Sequence, residues 1–152
     1  VFVRHFESYA QYVRERFTPP SGGLVVDIGS NDGTLLRFFQ QAGSRVIGID
    51  PAKEIGEASR RSGIPVITGF FTPELGARIA AEHVAADLQK EYELEYEWDD
   101  SGVLRFERAG LHGELRLAKG EVTVLVHLGF LLWPFRASLE REIHLYFDER
   151  FS

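Results

Sequence analysis

The sequence predicts an α/β fold class in two parts: a parallel βαβαβ unit, followed by an α+β domain of helix, four-stranded antiparallel meander and helix. Apolar runs alternate with helical periodicities over about the first 72 residues, which is typical of a parallel sheet with crossover helices. After a long helix the apolar period changes from about 3.6 to 2, which indicates antiparallel strands with one solvated face. Charge also divides: residues 1–86 carry nine basic and nine acidic side chains, whereas residues 87–152 carry eight and fourteen.

The first part is predicted to open with an amphipathic helix and then to alternate strands with helices. Phe2, Phe6 and Tyr9 recur at helical spacing on one face, and the turn residues from Pro19 to Gly23 end that helix. Gly43 is placed as a helix C-cap. The predicted order is helix 2–17, strand 24–28, helix 34–42, strand 45–49, helix 53–62 and strand 65–71.

The second part is predicted to begin at residue 73 with a long helix, which the hydroxyl of Thr72, a proline and an acid open. Strict alternation of acids with apolar residues over 91–98 predicts a strand with one wet face. Turns are predicted at 99–102, 109–110 and 119–120. The predicted order is helix 73–90, strands 91–98, 103–108, 111–117 and 121–128, and a helix from about 137 that buries Leu139, Ile143, Phe147 and Phe151.

Composition narrows the classes of function. With 44% hydrophobic residues the chain is expected to fold, and the absence of cysteine excludes disulfides and thiolate ligands and favours a cytoplasmic protein. The net charge of −6 and the lack of a basic stripe argue against nucleic acid, and no apolar run has the length of a membrane span. Because the chain lacks methionine and starts at Val1, we expect a fragment, a processed product or an assembled chain.

The clearest chemical motif runs from Asp27 to Gly33, between a predicted strand and a helix, with Asp50 ending the next strand. Gly29 and Gly33 permit a tight turn and close approach of a ligand, and an acid such as Asp50 accepts hydrogen bonds from ribose hydroxyls. Acids at 27 and 32 would repel a pyrophosphate but stabilise the sulfonium and ammonium of S-adenosylmethionine. The alternative is an ordinary strand-to-helix turn without a ligand.

These stretches resemble class I S-adenosylmethionine-dependent methyltransferases, which have a Rossmann-like fold, and specifically the sugar C-methyltransferase family. The resemblance covers residues 1–84 and is carried by 5–9, 27–33, 48–51 and 69–71. It implies that Asp27, Gly29 and Gly33 shape the methionine pocket, that Asp50 holds the ribose, and that Ser30 and Asn31 lie along the loop. It also implies a truncated domain, because the second half of the family's catalytic domain has no counterpart here.

From about residue 77 onward the chain resembles the polyhydroxyalkanoic acid system (granule-associated) proteins. The resemblance is carried by 86–88, 92–98, 104–108, 128–132 and 139–143, together with Gly110, Gly113 and Phe151. It implies a small noncatalytic domain, residues 73–152, that associates with polyester storage granules. The helix at 73–90 is then shared by both parts, and the chain is interpreted as a fusion of the two families.

Two surface features stay open from the sequence. The aromatic segment 129–135 is favoured as core by the burial tendency of its side chains, and its alternative is an exposed patch that meets a polyester surface. Half of a doubly wound sheet leaves an unpaired edge, which the meander or a second copy of the chain could cover. The five histidines lack the paired spacing of metal ligands, so no metal site is predicted.

Two functions from different classes follow. The first is a methyltransferase-derived protein that binds S-adenosylmethionine. Whether it transfers a methyl group, as a C-methyltransferase-like enzyme, stays open because the second half of the catalytic domain is missing, and its catalytic residues are unknown. The cofactor-binding residues predicted for it are Asp27, Gly29, Ser30, Asn31, Gly33 and Asp50. The alternative is a noncatalytic module that associates with polyhydroxyalkanoate granules. The expected partners are therefore a small-molecule cofactor, a granule surface or a second copy of the chain.

Overall fold

The computed structural model describes residues 2–19, 22–118 and 121–151, and it divides the chain into two compact units, residues 1–72 and residues 73–152. The division falls at the start of the helix that the sequence analysis assigns to both parts, and the sharing of that helix stays a prediction. The predicted α/β class is confirmed, because one unit contains a parallel sheet and the other an antiparallel meander. No helix within the described ranges is long and apolar enough to cross a membrane.

The first unit is a three-stranded parallel sheet with strand order β1-β2-β3. In its core, one face of the second helix packs against the sheet and against the first helix. The elements are α1 (Phe2–Phe17), β1 (Leu24–Ile28), α2 (Thr34–Gln41), β2 (Arg45–Asp50), α3 (Lys53–Arg61) and β3 (Val66–Thr68). The buried core residues are Ala10, Leu36, Phe39, Val46, Ile64 and Val66.

The third strand is shorter than the predicted 65–71. Its last register pair joins Thr68 to Asp50, where β2 ends, so β3 has no partner beyond that point. The amide of Gly69 still donates to the carbonyl of Asp50 at 3.0 Å, and then the chain leaves the sheet. Phe70 and Phe71 are consequently exposed rather than buried in a strand. A strand extends only as far as its neighbour offers backbone partners.

The outer edge of β1 pairs with none of the described strands. Val26 and Ile28, on one face of β1, are 39% and 59% exposed. A parallel strand is normally covered on both faces, and these side chains depart from that rule. The predicted unpaired edge is therefore present among the described strands, and its coverage by the meander or by a second copy stays a prediction.

The second unit is a helix, a four-stranded antiparallel sheet in the order β4-β5-β6-β7, a 3₁₀ helix and a final helix. Small side chains of the first of these helices, Ala81 and Ala85, pack on Leu104 and Leu115 of the sheet. The elements are α4 (Pro73–Tyr92), β4 (Glu95–Trp98), β5 (Val103–Arg108), β6 (Leu111–Ala118), β7 (Glu121–Leu128), the 3₁₀ helix (Phe130–Phe135) and α5 (Arg136–Phe151).

The strand predicted at 91–98 is wrong in its first half, because α4 continues to Tyr92 and β4 begins only at Glu95. Glu93 has a left-handed φ of 54°, which ends the helix. Arg108 donates from Nη1 to the carbonyl of Tyr92 at 2.9 Å and satisfies a helix-end acceptor. Since Glu95 pairs with Glu107 near the end of β5, residues before Glu95 lack strand partners. Tertiary pairing thus overrides the alternating pattern.

The expectation that segment 129–135 lies in the core is also wrong. Phe130 and Leu131 are 92% and 85% exposed, and Trp133 and Phe135 are exposed as well. Gly129 and the 3₁₀ turn direct these side chains outward before α5 begins. Leu139 and Ile143, which were predicted to be buried, are half-buried. The turn at 119–120 and the side chains of Phe147 and Phe151 lie outside what the structure describes.

Candidate functional site

The predicted cofactor residues come from the loop after β1 and from the end of β2. Parallel pairing places Asp27 opposite Gly48 and Ile28 opposite Ile49, so both strands end at the same edge of the sheet. The amide of Gly29 donates to the carbonyl of Ile49 at 2.8 Å, which continues the ladder into the loop. The register of the sheet therefore brings the glycine loop beside Asp50, as expected for ligand sites in parallel sheets.

Asp50 holds the loop in place through both carboxylate oxygens. Its Oδ2 accepts a hydrogen bond from the amide of Asn31 at 2.9 Å, and its Oδ1 accepts one from the amide of Ala52 at 2.8 Å. The residue is only 8% exposed, so these bonds compensate for the burial of its charge. Each oxygen of a carboxylate retains a second lone pair, and Asp50 can accept further donors without releasing the loop.

Asp27 is a half-buried carboxylate close to Asp50. Burial raises the pKa of Asp27 above its usual range, and the negative charge of Asp50 adds a further rise. Both causes disfavour a second negative charge at this edge of the sheet. A cation placed beside the pair would reverse the effect, so the site is electrostatically suited to a positively charged group.

Gly29 and Asn31 form the open side of the loop. Gly29 has a φ of 81°, and a Cβ built there meets no atom within 4 Å. Asn31 is exposed and also left-handed, with a φ of 51°. The left-handed conformation explains a glycine at 29, and the open space beside it leaves room for a ligand.

Ser30 and Gly33 face the interior instead of the open side. Ser30 is 5% exposed, and its Oγ has no hydrogen-bond partner among the described residues. A Cβ at Gly33 would lie 2.5 Å from Oγ of Ser59 and 2.9 Å from Cγ2 of Ile64. The absence of a side chain at Gly33 therefore permits the start of α2 to pack closely against Ser59 and Ile64.

Gly48 is a site residue that the sequence analysis missed. A Cβ at Gly48 would overlap Oγ and Cβ of Ser30, so only glycine at this point of β2 leaves space for the serine under the loop. The available signal was a glycine inside an apolar strand, which often marks a close approach of another backbone. Gly48 consequently shapes the loop from below.

Asp32 has a different role from Asp27. Its Oδ1 accepts a hydrogen bond from the amide of Thr34 at 3.0 Å, at the start of α2. Hydrogen bonds from Thr34 lower the pKa of Asp32, mainly through its side chain and then its backbone, with a smaller contribution from Arg37. Asp32 thus binds the first amide of α2 from the position before the N-cap Gly33, and the charge that faces a ligand comes from Asp27 and Asp50.

Three of the described histidines lie close to another titratable side chain. His112 and His127 stack across β6 and β7 with ring centroids 5.0 Å apart, and His83 lies 3.9 Å from Asp87. Within the described part of the chain, no group of three or more histidine, aspartate or glutamate side chains could hold a metal ion.

A protein-family model matches the second unit. Residues 73–151 match the model of the polyhydroxyalkanoic acid system proteins. The match begins at the residue where the second compact unit begins. It covers more than half of the chain and confirms the second of the two resemblances.

Comparison with curated proteins supports the other resemblance. The C-methyltransferase NovU of Streptomyces niveus is 38% identical over 86 residues, which are 57% of this chain. The chain spans only 20% of the length of that relative. The two-part resemblance is therefore confirmed, while the matched methyltransferase is a much longer protein.

Solved methyltransferases resemble the chain at low identity. The plantazolicin methyltransferase BpumL, in complex with SAH, is 21% identical with a TM-score of 0.35, over 45% of this chain and 29% of its own. DesVI of Streptomyces venezuelae is 13% identical with a TM-score of 0.37, over 84% of this chain and 76% of its own. Neither likeness reaches a level from which a shared function follows.

Proposed function

The chain belongs to the polyhydroxyalkanoic acid system proteins, and we propose that this member also carries, in residues 24–52, a binding site for S-adenosylmethionine. The observation that carries the proposal is the meeting of two carboxylates, Asp27 and Asp50, beside a glycine turn with open space next to it. The predicted residues Asp27, Gly29, Asn31 and Asp50 form the ligand side of the site, and Ser30 and Gly33 support the loop from inside.

Charge selects the type of cofactor. Neighbouring carboxylates in a partly desolvated site repel a pyrophosphate, whereas they stabilise the sulfonium and ammonium of S-adenosylmethionine. Asp27, whose pKa is raised by burial and by Asp50, gains most from an adjacent cation. We assign the methionine end of the cofactor to Asp27 and Gly29 for this reason.

The ribose end is assigned to Asp50. Its carboxylate already binds the amides of Asn31 and Ala52, and the second lone pair on each oxygen can accept a ribose hydroxyl. Because Asp50 lies at the end of β2, it has the position of acidic residues that bind ribose in nucleotide-binding sheets.

The relative named as a C-methyltransferase supports a methyl-donor site. Since the chain spans a fifth of that relative, the proposal covers cofactor binding, and no residue is proposed as catalytic. We further propose that residues 1–84 derive from a methyltransferase and share the helix at 73–90 with the family domain, in a protein of the cytoplasm.

Calorimetric titration of the whole chain with S-adenosylhomocysteine and with adenosine tests the site. Adenosine has the ribose and lacks the methionine part, so Asp27→Asn should weaken S-adenosylhomocysteine about tenfold and leave adenosine unchanged. Asp50→Asn should weaken both ligands, because it removes an acceptor of the ribose. Asp100→Asn, in an exposed turn of the second unit, is the matched control and should change neither. Absence of heat and of a thermal shift at millimolar ligand would contradict the proposal.

A second function, association with polyester granules, is favoured by the exposed apolar 3₁₀ helix. Phe130, Leu131, Trp133 and Phe135 form a run of exposed large apolar side chains, and such patches mark interaction surfaces. Arg136 lies over the ring of Trp133, with 5.5 Å from Cζ to the ring centroid. The family match supports a granule surface as the partner.

Co-sedimentation with polyhydroxyalkanoate particles tests this second function. The whole chain should sediment with the particles, and Leu131→Ser should reduce the bound fraction severalfold because it removes an exposed apolar contact. Val3→Ser, at an exposed apolar position in α1, is the control and should bind normally. Equal sedimentation of the two variants, or a chain that stays wholly in the supernatant, would remove this function.

A further inference from the structure

An apolar cavity of about 100 Å³ lies inside the second unit. The inner face of the meander contributes Leu104 and Leu115, and α4 contributes Val84 and Ala85. These four side chains are buried, so this wall of the cavity is part of the hydrophobic core. Leu139 and Ile143 of α5 also line the cavity.

The size and lining of the cavity restrict what can occupy it. A cavity lined by aliphatic and aromatic side chains gives water too few hydrogen-bond partners and binds apolar molecules instead, as a benzene-sized cavity of roughly 150 Å³ does. On that scale, 100 Å³ accommodates about four carbon atoms. A peptide or a protein helix is too large, and a short alkyl chain fits.

Three polar residues are among those that line the cavity. Tyr92, Arg108 and Glu142 belong to its lining. Arg108 uses Nη1 to bind the carbonyl of Tyr92, and a guanidinium has further N–H donors for another acceptor. Glu142 acts electrostatically on Tyr92, whose pKa is raised by burial first and then by the charges of Glu91 and Glu142. The lining thus combines aliphatic and aromatic side chains with a guanidinium donor and a carboxylate.

We propose that this cavity binds a short acyl group, with about four carbons in the apolar interior and the carbonyl oxygen accepting a hydrogen bond from Arg108. The carbonyl can belong to a free carboxylic acid or to an ester, and Glu142 distinguishes the two because it repels only the charged acid. The proposal is independent of the cofactor site in the first unit.

Calorimetric titration of the whole chain with sodium pentanoate and with methyl pentanoate tests the proposal. Arg108→Gln should weaken the binding of both ligands about tenfold, since it removes a charge-assisted hydrogen bond. Glu142→Gln should strengthen pentanoate severalfold and leave the ester unchanged. Arg116→Gln, on the exposed face of the sheet where it pairs with Glu114, is the matched control and should have no effect.

The location is tested by filling the cavity. Ala85→Phe places a large ring in the space and should abolish binding of both ligands. Leu139→Phe fills it from α5 and serves the same purpose if Ala85→Phe does not fold. Binding of the ester alone supports the proposal with an ester as the source. Binding of neither ligand overturns it, as does undiminished binding to a folded filled variant or an affinity that rises steadily from butanoate to dodecanoate.

Discussion

The first unit holds two carboxylates in a partly buried site, whereas the sheet of the second unit carries charged side chains on a solvent-exposed face. Asp50 is nearly buried and binds two backbone amides, and Asp27 lies close to it. In the second unit, Arg105 and Arg116 pair with Glu114 at 3.8 and 2.7 Å, and both arginines are more than half exposed. Exposed pairs contribute little energy, but desolvated carboxylates respond strongly to a nearby cation. Polar chemistry is therefore expected in the first unit and apolar binding in the second.

The largest expected effect tests whether the two units have independent cores. Leu36→Ala removes a completely buried side chain of the first core and should lower the unfolding free energy of that unit by about 3 to 5 kcal/mol. The second unit should unfold at an unchanged denaturant concentration, because its core cluster contains other residues. Urea unfolding followed by hydrogen exchange of each unit measures this. Val3→Ala, at an exposed position, should change stability by less than about 0.5 kcal/mol, and a parallel loss in both units would contradict separate cores.

A smaller effect separates close packing from backbone conformation in the cofactor loop. Gly33→Ala should destabilise the first unit by about 2 to 4 kcal/mol, because the added Cβ meets Ser59 and Ile64 and the φ of 75° is left-handed. Gly63→Ala has a similar φ of 87° with open space around it, and should cost only about 1 kcal/mol. Chemical denaturation of both variants gives the comparison. Equal losses would show that packing at Gly33 is unimportant.

The smallest effect concerns pH and has opposite signs for two neighbouring acids. Folding raises the pKa of Asp27, so ionisation of Asp27 destabilises the first unit as pH rises through the folded pKa. Asp27→Asn should therefore stabilise the unit at pH 7 but not at a pH below 3.8, the usual pKa of the group. Asp32 has a lowered pKa, so its stabilisation is present above 3.8 and is lost as pH falls through the folded pKa. Asp32→Ala should lose about 1 kcal/mol at pH 7 with the hydrogen bond to the amide of Thr34. Thermal unfolding from pH 3 to 7 measures both, and equal signs would refute the assignment.

Much of the fold could be predicted because its signals are local. Strands β1 and β2, helices α2 and α3 and the meander agree with apolar periodicity and turn residues. The strand ends that were predicted wrongly depend on pairing partners that are distant in sequence. Strand β3 stops where β2 stops, and Glu93 leaves the predicted strand because β5 offers no residue to pair with it. Such limits are set by pairing across the sheet and leave no local pattern.

The candidate site shows the same division. The motif from Asp27 to Gly33 located the loop, and parallel register brought it beside Asp50. The sequence could not separate the open side of the loop at Gly29 from the packed side at Gly33, because both are glycines with positive φ. Only the neighbours of each Cβ distinguish them. Gly48 belongs to the site because it lies under Ser30, a contact between separate elements.

By itself, the amino-acid sequence determined the two-part α/β architecture, the acidic glycine loop and the resemblance of each part to a different family. Periodicity, turn chemistry and motif spacing involve residues that are close in sequence, so they can be recognised from the sequence alone. Tertiary structure alone decided that segment 130–135 is exposed, that Gly33 and Ser30 face inward, and that a cavity lies beside Leu104 and Leu115. The exposure of a side chain and the volume of a cavity depend on which residues distant in sequence pack nearby, and no local sequence pattern specifies this packing.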